Sequence, residues 1–434
     1  MINHIIQVLK GNKDITGYKI LESLTEENEL YFIKKNCDMD RAKKVHYYEI
    51  TVYVDYIEDG TRYMGSASTV IHPTMQASEI KKAIDEAAFA AKFVKNLYYP
   101  LATPGSCHGQ LKASNFDRET LSYWLSEIAK AIYQEDHCDK GGINSTEIFL
   151  KKVHRHFVNS EGIDVTMMAY ESMTEFITNW KEDGEEIELY KSLKFAEFNR
   201  AAFIEEVKKI ITIAKDRAVA KPTPSLGKIS VILTGEAVME LLSSYSTQSN
   251  AAQVYNQSSI WKIGDKVQGN DVKGDRITLM LDPFLENSTL SGCFDEDGYP
   301  LAPVTILEDG ILRRYMASLR YAHYLDVEPT GIIQNRRVLG GKHTVAQLRE
   351  EPHIEVAIFS DFSMNAMTGD FGGEIRLAWY FDGERTVPVT GGAITGNLYE
   401  LHQELYLSKE LQRINSFEGP KAVKLLKVNV NGAE

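Results

Sequence analysis

The sequence predicts an α+β protein of two domains, with antiparallel sheet and helices in the N-terminal half and a β-rich C-terminal half. Three observations carry this. Strand-like and helix-like segments come in blocks (strands, helix, helix, strands, helix) without the regular βαβ alternation of a parallel sheet. The segment Ala220-Lys221-Pro222-Thr223-Pro224-Ser225-Leu226-Gly227 holds two prolines and a glycine, which end any helix. Beyond it short β-like segments dominate. The domains are therefore placed at residues 1–221 and 222–434.

From about Glu29 to Ile71 the chain alternates like a β-meander: Leu30 to Ile33, His46 to Tyr56, and Tyr63 to Val70, with Glu58-Asp59-Gly60 as a turn. A helix follows, with Ser78 as its expected N-cap and Ile80, Ile84, Ala87, Ala91 and Val94 on one face. Pro100 to Gly109 reads as a loop. Asp117 is the expected cap of the next helix, whose apolar stripe is Leu121, Leu125, Ile128 and Ile132. A second strand block runs from Thr146 to Val158, turns at Asn159-Ser160-Glu161-Gly162 and returns from Ile163 to Trp180. After a turn at Glu182-Asp183-Gly184-Glu185, the residues Ile187, Leu189, Leu193 and Phe195 share one side of a strand that only Lys191 interrupts. A third helix spans about Arg200 to Arg217. In the second half, strands are expected at Ile229 to Leu233, Ile277 to Leu281, Pro303 to Leu307, Ile354 to Phe359, Gly373 to Tyr380 and Lys424 to Val430.

With 434 residues, 43% of them hydrophobic, the chain can bury large cores. Its formal charge of −13 argues against a duplex-binding protein, which needs a dense basic face to displace counterions. No nucleic-acid partner is expected. No apolar run approaches the roughly 20 residues of a membrane helix, and the N-terminus shows no signal-peptide pattern. The four cysteines (Cys37, Cys107, Cys138, Cys293) form no C-x-x-C pair and read as free buried thiols of a reducing compartment. A cytoplasmic protein without a membrane partner is the expectation.

The segment Gly235-Glu236-Ala237-Val238-Met239-Glu240 follows the apolar run Ile229 to Leu233 and opens an apolar-periodic stretch to Leu242. That is strand, turn, helix. Several phrases along the chain resemble the TldD/PmbA family of zinc-dependent peptidases and their partners, once called modulators of DNA gyrase. Asn159-Ser160-Glu161-Gly162 resembles the family's N-S-x-G turn. Phe294-Asp295-Glu296-Asp297-Gly298 is similar to its D-x-E-G element, with Asp297 in place of the glutamate. Leu307-Glu308-Asp309-Gly310-Ile311-Leu312 is similar to its L-x-x-G-x-L element. Pro329-Thr330-Gly331 and Gly391-Gly392-Ala393-Ile394-Thr395-Gly396-Asn397-Leu398 match later phrases. Each phrase alone is weak; the ordered set is specific.

The resemblance implies a site at the Gly235 helix, where TldD-type chains carry H-E-x-x-x-H and a late cysteine as zinc ligands. Here Gly235 and Glu240 stand at the histidine positions, and no cysteine follows Cys293. Two imidazoles and a thiolate cannot be assembled from these residues. The closer resemblance is the metal-free PmbA or TldE type. No metal, no cofactor and no catalytic residue is therefore expected. Glu236 reads as an acidic residue favoured by the helix dipole. Glu236 and Glu240 share a helix face, where a hard cation is conceivable and a solvated face is the plainer reading.

Three other groups invite a site. His154 and His156 point to one side of a strand, and His137 with Cys138 could join them in a zinc site; a polar outward face is preferred. Asp295, Glu296 and Asp297 with Cys293 read as a solvated acidic turn. The glycine-rich Gly391 to Asn397 lacks phosphate-loop spacing. It reads as a turn needing positive φ. By resemblance it lines the peptidase cleft, so Gly391, Gly392, Thr395, Gly396 and Asn397 are the candidate substrate-binding residues.

The function implied by the resemblance is a non-catalytic subunit that pairs with a TldD-type zinc metallopeptidase in cleaving or maturing unstructured peptides. In isolation it is expected as a homodimer. An autonomous peptidase or hydrolase is the rival, without a G-x-S-x-G elbow or a cysteine–histidine pairing to support it. A gyrase modulator rests on the old family name alone.

Overall fold

The computed structural model describes residues 1–433 apart from His108, Gln110, Cys138 and the side chain of Glu185. The N-terminal meander comprises β1 (Gly17–Ile33), β2 (Asn36–Glu58) and β3 (Thr61–Ile71). β1 begins well before Glu29, where apolar alternation fails, because cross-strand charges replace it. Glu26 meets Lys44 at 2.7 Å and Glu27 meets Lys43 at 2.8 Å across the β1–β2 ladder. β4 (Gly141–Asn159), β5 (Asp164–Glu182) and β6 (Glu185–Phe195) complete an antiparallel six-stranded sheet in the order β3-β2-β1-β4-β5-β6. The expected turns hold, with positive φ at Asp59 and Gly60 and again at Asp183 and Gly184.

Four helices cover this sheet. α1 (Ile2–Gly11) was not expected: it is short, has no side-chain cap, and is fixed by burial of Ile5 and Leu9 on one face. α2 (Ala77–Ala91) starts earlier than Ser78, because Gln76 and Glu79 form a reciprocal capping box. α3 (Leu121–Ile132) is capped by Thr120; Asp117 sits one turn earlier and instead accepts from the Tyr170 hydroxyl at 2.7 Å. α4 (Arg200–Ala218) is capped by Asn199. Ile20 and Ile50 pack under α1 and α2, while Ile148, Leu150 and Phe176 pack under α3 and α4.

The C-terminal half is an eight-stranded and a six-stranded sheet over one core. β7 (Lys221–Pro222) is an edge strand parallel to Thr386–Thr390, and Thr223 behind it is fully buried. The proline-containing segment is thus woven into a sheet rather than hanging free. Leu377 of the second half also joins the core under α4. β8 (Gly227–Thr234) lies between Ala422–Asn431 and His353–Met364, and leads into α5 (Glu236–Gln248). Val238, Leu241, Leu242 and Tyr245 bury one face of α5. Among the described residues no helix is long and apolar enough to cross a membrane.

Candidate functional site

Gly235 is the N-cap of α5, at φ 61 and ψ −133, a conformation open to glycine and strained for a residue with a Cβ. Its carbonyl accepts from the Gln412 amide at 3.0 Å. Glu236, in the first turn, receives the Lys191 ammonium at 2.6 Å. Lys191 comes from β6, so this ion pair joins the two domains at the start of the helix. Glu240 lies one turn on, and its charge acts on Arg336, on the strand Arg336–Val338. Burial pulls the Arg336 guanidinium below its ordinary value, and the Glu240 carboxylate is the charge that opposes this. Of the two carboxylates that remain of the motif, Glu236 is thus paired with a cation of the chain itself, and Glu240 acts on a second through its charge. Lys191, Arg336 and Gln412 were not singled out as site residues. The break in the apolar pattern of β6 was the one available signal for Lys191; nothing local marks the other two.

The Gly391 to Asn397 segment divides in two. Gly391 and Gly392 have φ of 75 and 73, as a turn requires, but Ala393–Asn397 is a strand between Asp370–Phe381 and Ala422–Asn431. The loop expected over its whole length is therefore a turn plus a strand, because flanking strands supply partners for its backbone. A Cβ on Gly392 would lie 2.3 Å from the Asn431 carbonyl oxygen, so the close approach is backbone to backbone. Thr395 and Gly396 pair within the sheet. Asn397 caps the next helical turn through the amides of Tyr399 and Glu400 and donates to Asp370 at 2.8 Å.

The acidic turn is built rather than loosely solvated. Asp295 accepts from the amides of Asp297 and Tyr299 with one oxygen and from that of Ile332 with the other. Burial, seconded by Asp297, pushes its carboxyl up to about 6 against those three hydrogen bonds. Asp297 bridges to Lys19 of β1 at 2.7 Å, a second tie between the domains. The turn borders a cavity of about 340 Å3 at the domain seam, lined by Phe157, Val165 and Met167 on one side and by Ser291, Phe294 and Asp295 on the other. His156 sits between carboxylates, 2.7 Å from Asp164 and 3.3 Å from Glu22. His154 is exposed and takes no part. The Cys138 half of that candidate zinc site lies outside the described residues. Cys37 is exposed, contrary to the buried thiol expected, because it lies in the solvent-facing tip of the β1–β2 hairpin, residues 33–45, while Cys107 and Cys293 are half-buried.

Residues 226–432 match the family model described as PmbA/TldA metallopeptidase C-terminal domain. An uncharacterised protein of Methanocaldococcus jannaschii is 25% identical over 238 residues, covering 51% of this chain and 55% of that protein. The metalloprotease PmbA of Escherichia coli O157:H7 is 26% identical over 183 residues, 41% of this chain and 40% of that protein. The chain thus spans about half or less of the length of these curated relatives. The crystal structure of TldE from Thermococcus kodakarensis superposes with a TM-score of 0.79 at 18% identity, covering 99% of this chain and 100% of the other. The C-terminal half, residues 226–432, thus matches the PmbA/TldD family, and the whole chain shares the fold of TldE.

The zinc set of TldD-type chains does not fit these residues. Gly235 has no side-chain donor, Glu240 is a carboxylate whose charge acts on Arg336, and no cysteine follows Cys293. Among the described residues no group of three or more His, Cys, Asp or Glu is placed to hold a metal. What the helix start offers is one exposed, and therefore weak, ion pair between the domains.

Proposed function

We propose that this chain is a non-catalytic PmbA/TldE-like subunit that pairs with a TldD-type zinc metallopeptidase acting on unstructured peptides. The observation that carries this reading is the state of the motif helix: glycine at the first ligand position, and both remaining carboxylates set against Lys191 and Arg336. With Gly235 and Glu240 at the ligand positions, Glu236 has no zinc-bound water to act on, so the activated water has to come from the other subunit. This chain contributes shape, exclusion of solvent and sheet edges to which an extended peptide can add. The turn at Gly391 and Gly392 with Thr395, Gly396 and Asn397 belongs to its share of the cleft wall. The domain boundary is assigned to 221/222, the isolated chain to a homodimer and the compartment to the cytoplasm.

The test is hydrolysis of an unstructured peptide by each chain and by the mixture, with a chelator control. This chain alone should be inert, and the mixture should be faster than the TldD-type chain alone. Glu236→Ala should leave the mixture's rate within about twofold, since the residue sits in an exposed ion pair. Chelator-insensitive hydrolysis by this chain alone, abolished by Glu236→Ala, would restore the autonomous enzyme.

A further inference from the structure

The fold brings together two thiols that lie far apart in the sequence. Cys107 lies in the loop between α2 and α3, and Cys293 in the second domain; the two are neighbours across the seam, with the Cys107 thiol donating to the Gly109 carbonyl at 3.4 Å. Both are free and half-buried. The loop is seated on the segment that carries Cys293. A Cβ on Gly105 would lie 2.8 Å from Pro300 Cγ, and one on Gly109 would lie 2.2 Å from Phe284 Cε2, so the backbone on both sides of Cys107 rests on that segment. Cys293 is fixed in turn, its carbonyl accepting from Leu301 at 2.8 Å and its neighbour Gly292 donating to Pro283 at 2.9 Å. The two cysteines thus sit on facing segments that are each held in place.

We infer that Cys107 and Cys293 are a reversible oxidation site that joins the two domains by a disulfide, with a peroxide as the oxidant. The Cys107 thiolate attacks one peroxide oxygen and the O–O bond breaks. The departing oxygen leaves as water, and Cys107 becomes a sulfenic acid. The Cys293 sulfur then attacks Cys107, the S–O bond breaks, and a second water leaves with the Cys293 proton. Two thiols and one peroxide thus give one disulfide and two waters. Burial, with Cys107 beside it, pushes the Cys293 thiol up to about 12, a value that suits Cys293 to the resolving step. The bond would pin the loop at the domain seam. Phe284 and Ser291 line a cavity of about 250 Å3 there, and Ser291 and Phe294 line the larger one.

The test uses the full chain, reduced and then given one equivalent of hydrogen peroxide, followed by peptide mapping without reductant. A linked peptide pair containing Cys107 and Cys293 is expected. Dithiothreitol should remove it, C107S and C293S should lack it, and C37S should keep it. Proteinase K should cut the 100–109 loop several-fold more slowly in the oxidised chain than in the reduced one. The circular dichroism of C107S and C293S establishes that both fold, and the wild-type map stands without them. Separate oxidation of the two cysteines to sulfinic or sulfonic acids, a link through another cysteine, or thiols protected by a tightly bound zinc would each overturn the assignment.

Discussion

At the residue scale, the departures from the zinc pattern are coupled. Glycine at 235 permits φ 61 and ψ −133 at the helix entry, and Glu240 leaves a carboxylate for Arg336. Restoring histidines by Gly235→His with Glu240→His should therefore fail to create a zinc site. The imidazole at 235 would meet backbone strain of about 1–3 kcal/mol, Arg336 would lose its counter-charge, and the third ligand would still be missing. Elemental analysis after dialysis should find no stoichiometric zinc in this variant, and urea unfolding should find it less stable than the native chain. Asp295 makes a second prediction. Its carboxyl is raised to about 6 in the fold, against about 4 in the unfolded chain. Between those values the folded state binds more protons at Asp295 than the unfolded one, so this group's contribution to stability is greatest below pH 4, falls as pH rises towards 6, and is level above. Asp295→Asn should flatten that slope in melting curves. It should also lower stability throughout, because an amide nitrogen cannot accept from Ile332.

At the element scale, the Gly391–Gly392 turn is where a side chain would do most damage. Both glycines have positive φ, but a Cβ on Gly392 would meet the Asn431 carbonyl oxygen at 2.3 Å, whereas one on Gly391 would meet only the Ala433 methyl at 2.8 Å. Gly392→Val should cost more than the roughly 1–2 kcal/mol of left-handed backbone strain, and Gly391→Ala about that much. Urea unfolding of the two variants checks the ranking. If the strand Ala393–Asn397 borders the peptide cleft as proposed, Gly392→Val should also slow hydrolysis by the mixed subunits more than Glu236→Ala does.

At the scale of the whole molecule, the domains share apolar packing around Leu377 under α4, and separated polar ties flank it. Lys19 bridges to Asp297, Lys191 to Glu236, and Arg320 donates to Asn96 at 2.8 Å. The segment at 221–227 is pinned by β7 pairing and by burial of Thr223. Limited proteolysis of the reduced chain should therefore open the 100–109 loop before it opens 221–227. N-terminal sequencing of the first fragments checks the order.

Much of this architecture is set by local pattern. Turns at Asp59-Gly60 and Asp183-Gly184, the apolar stripes of α2 to α4 and the strand-turn-helix at Gly235 follow from positive-φ chemistry and from the helix and strand periods, which neighbours in sequence alone determine. The first half of β1 and the hairpin tip escaped that reading because their stabilising partners are charges on a neighbouring strand. The loss of the zinc donors was equally legible, since a missing side chain needs no neighbours to be missed. What Glu236 and Glu240 do instead was not. Lys191 and Arg336 reach α5 from strands remote in sequence, and Cys107 meets Cys293 across the seam. Only the tertiary structure decides such pairings, because each depends on where two separately folded segments are packed rather than on what either contains.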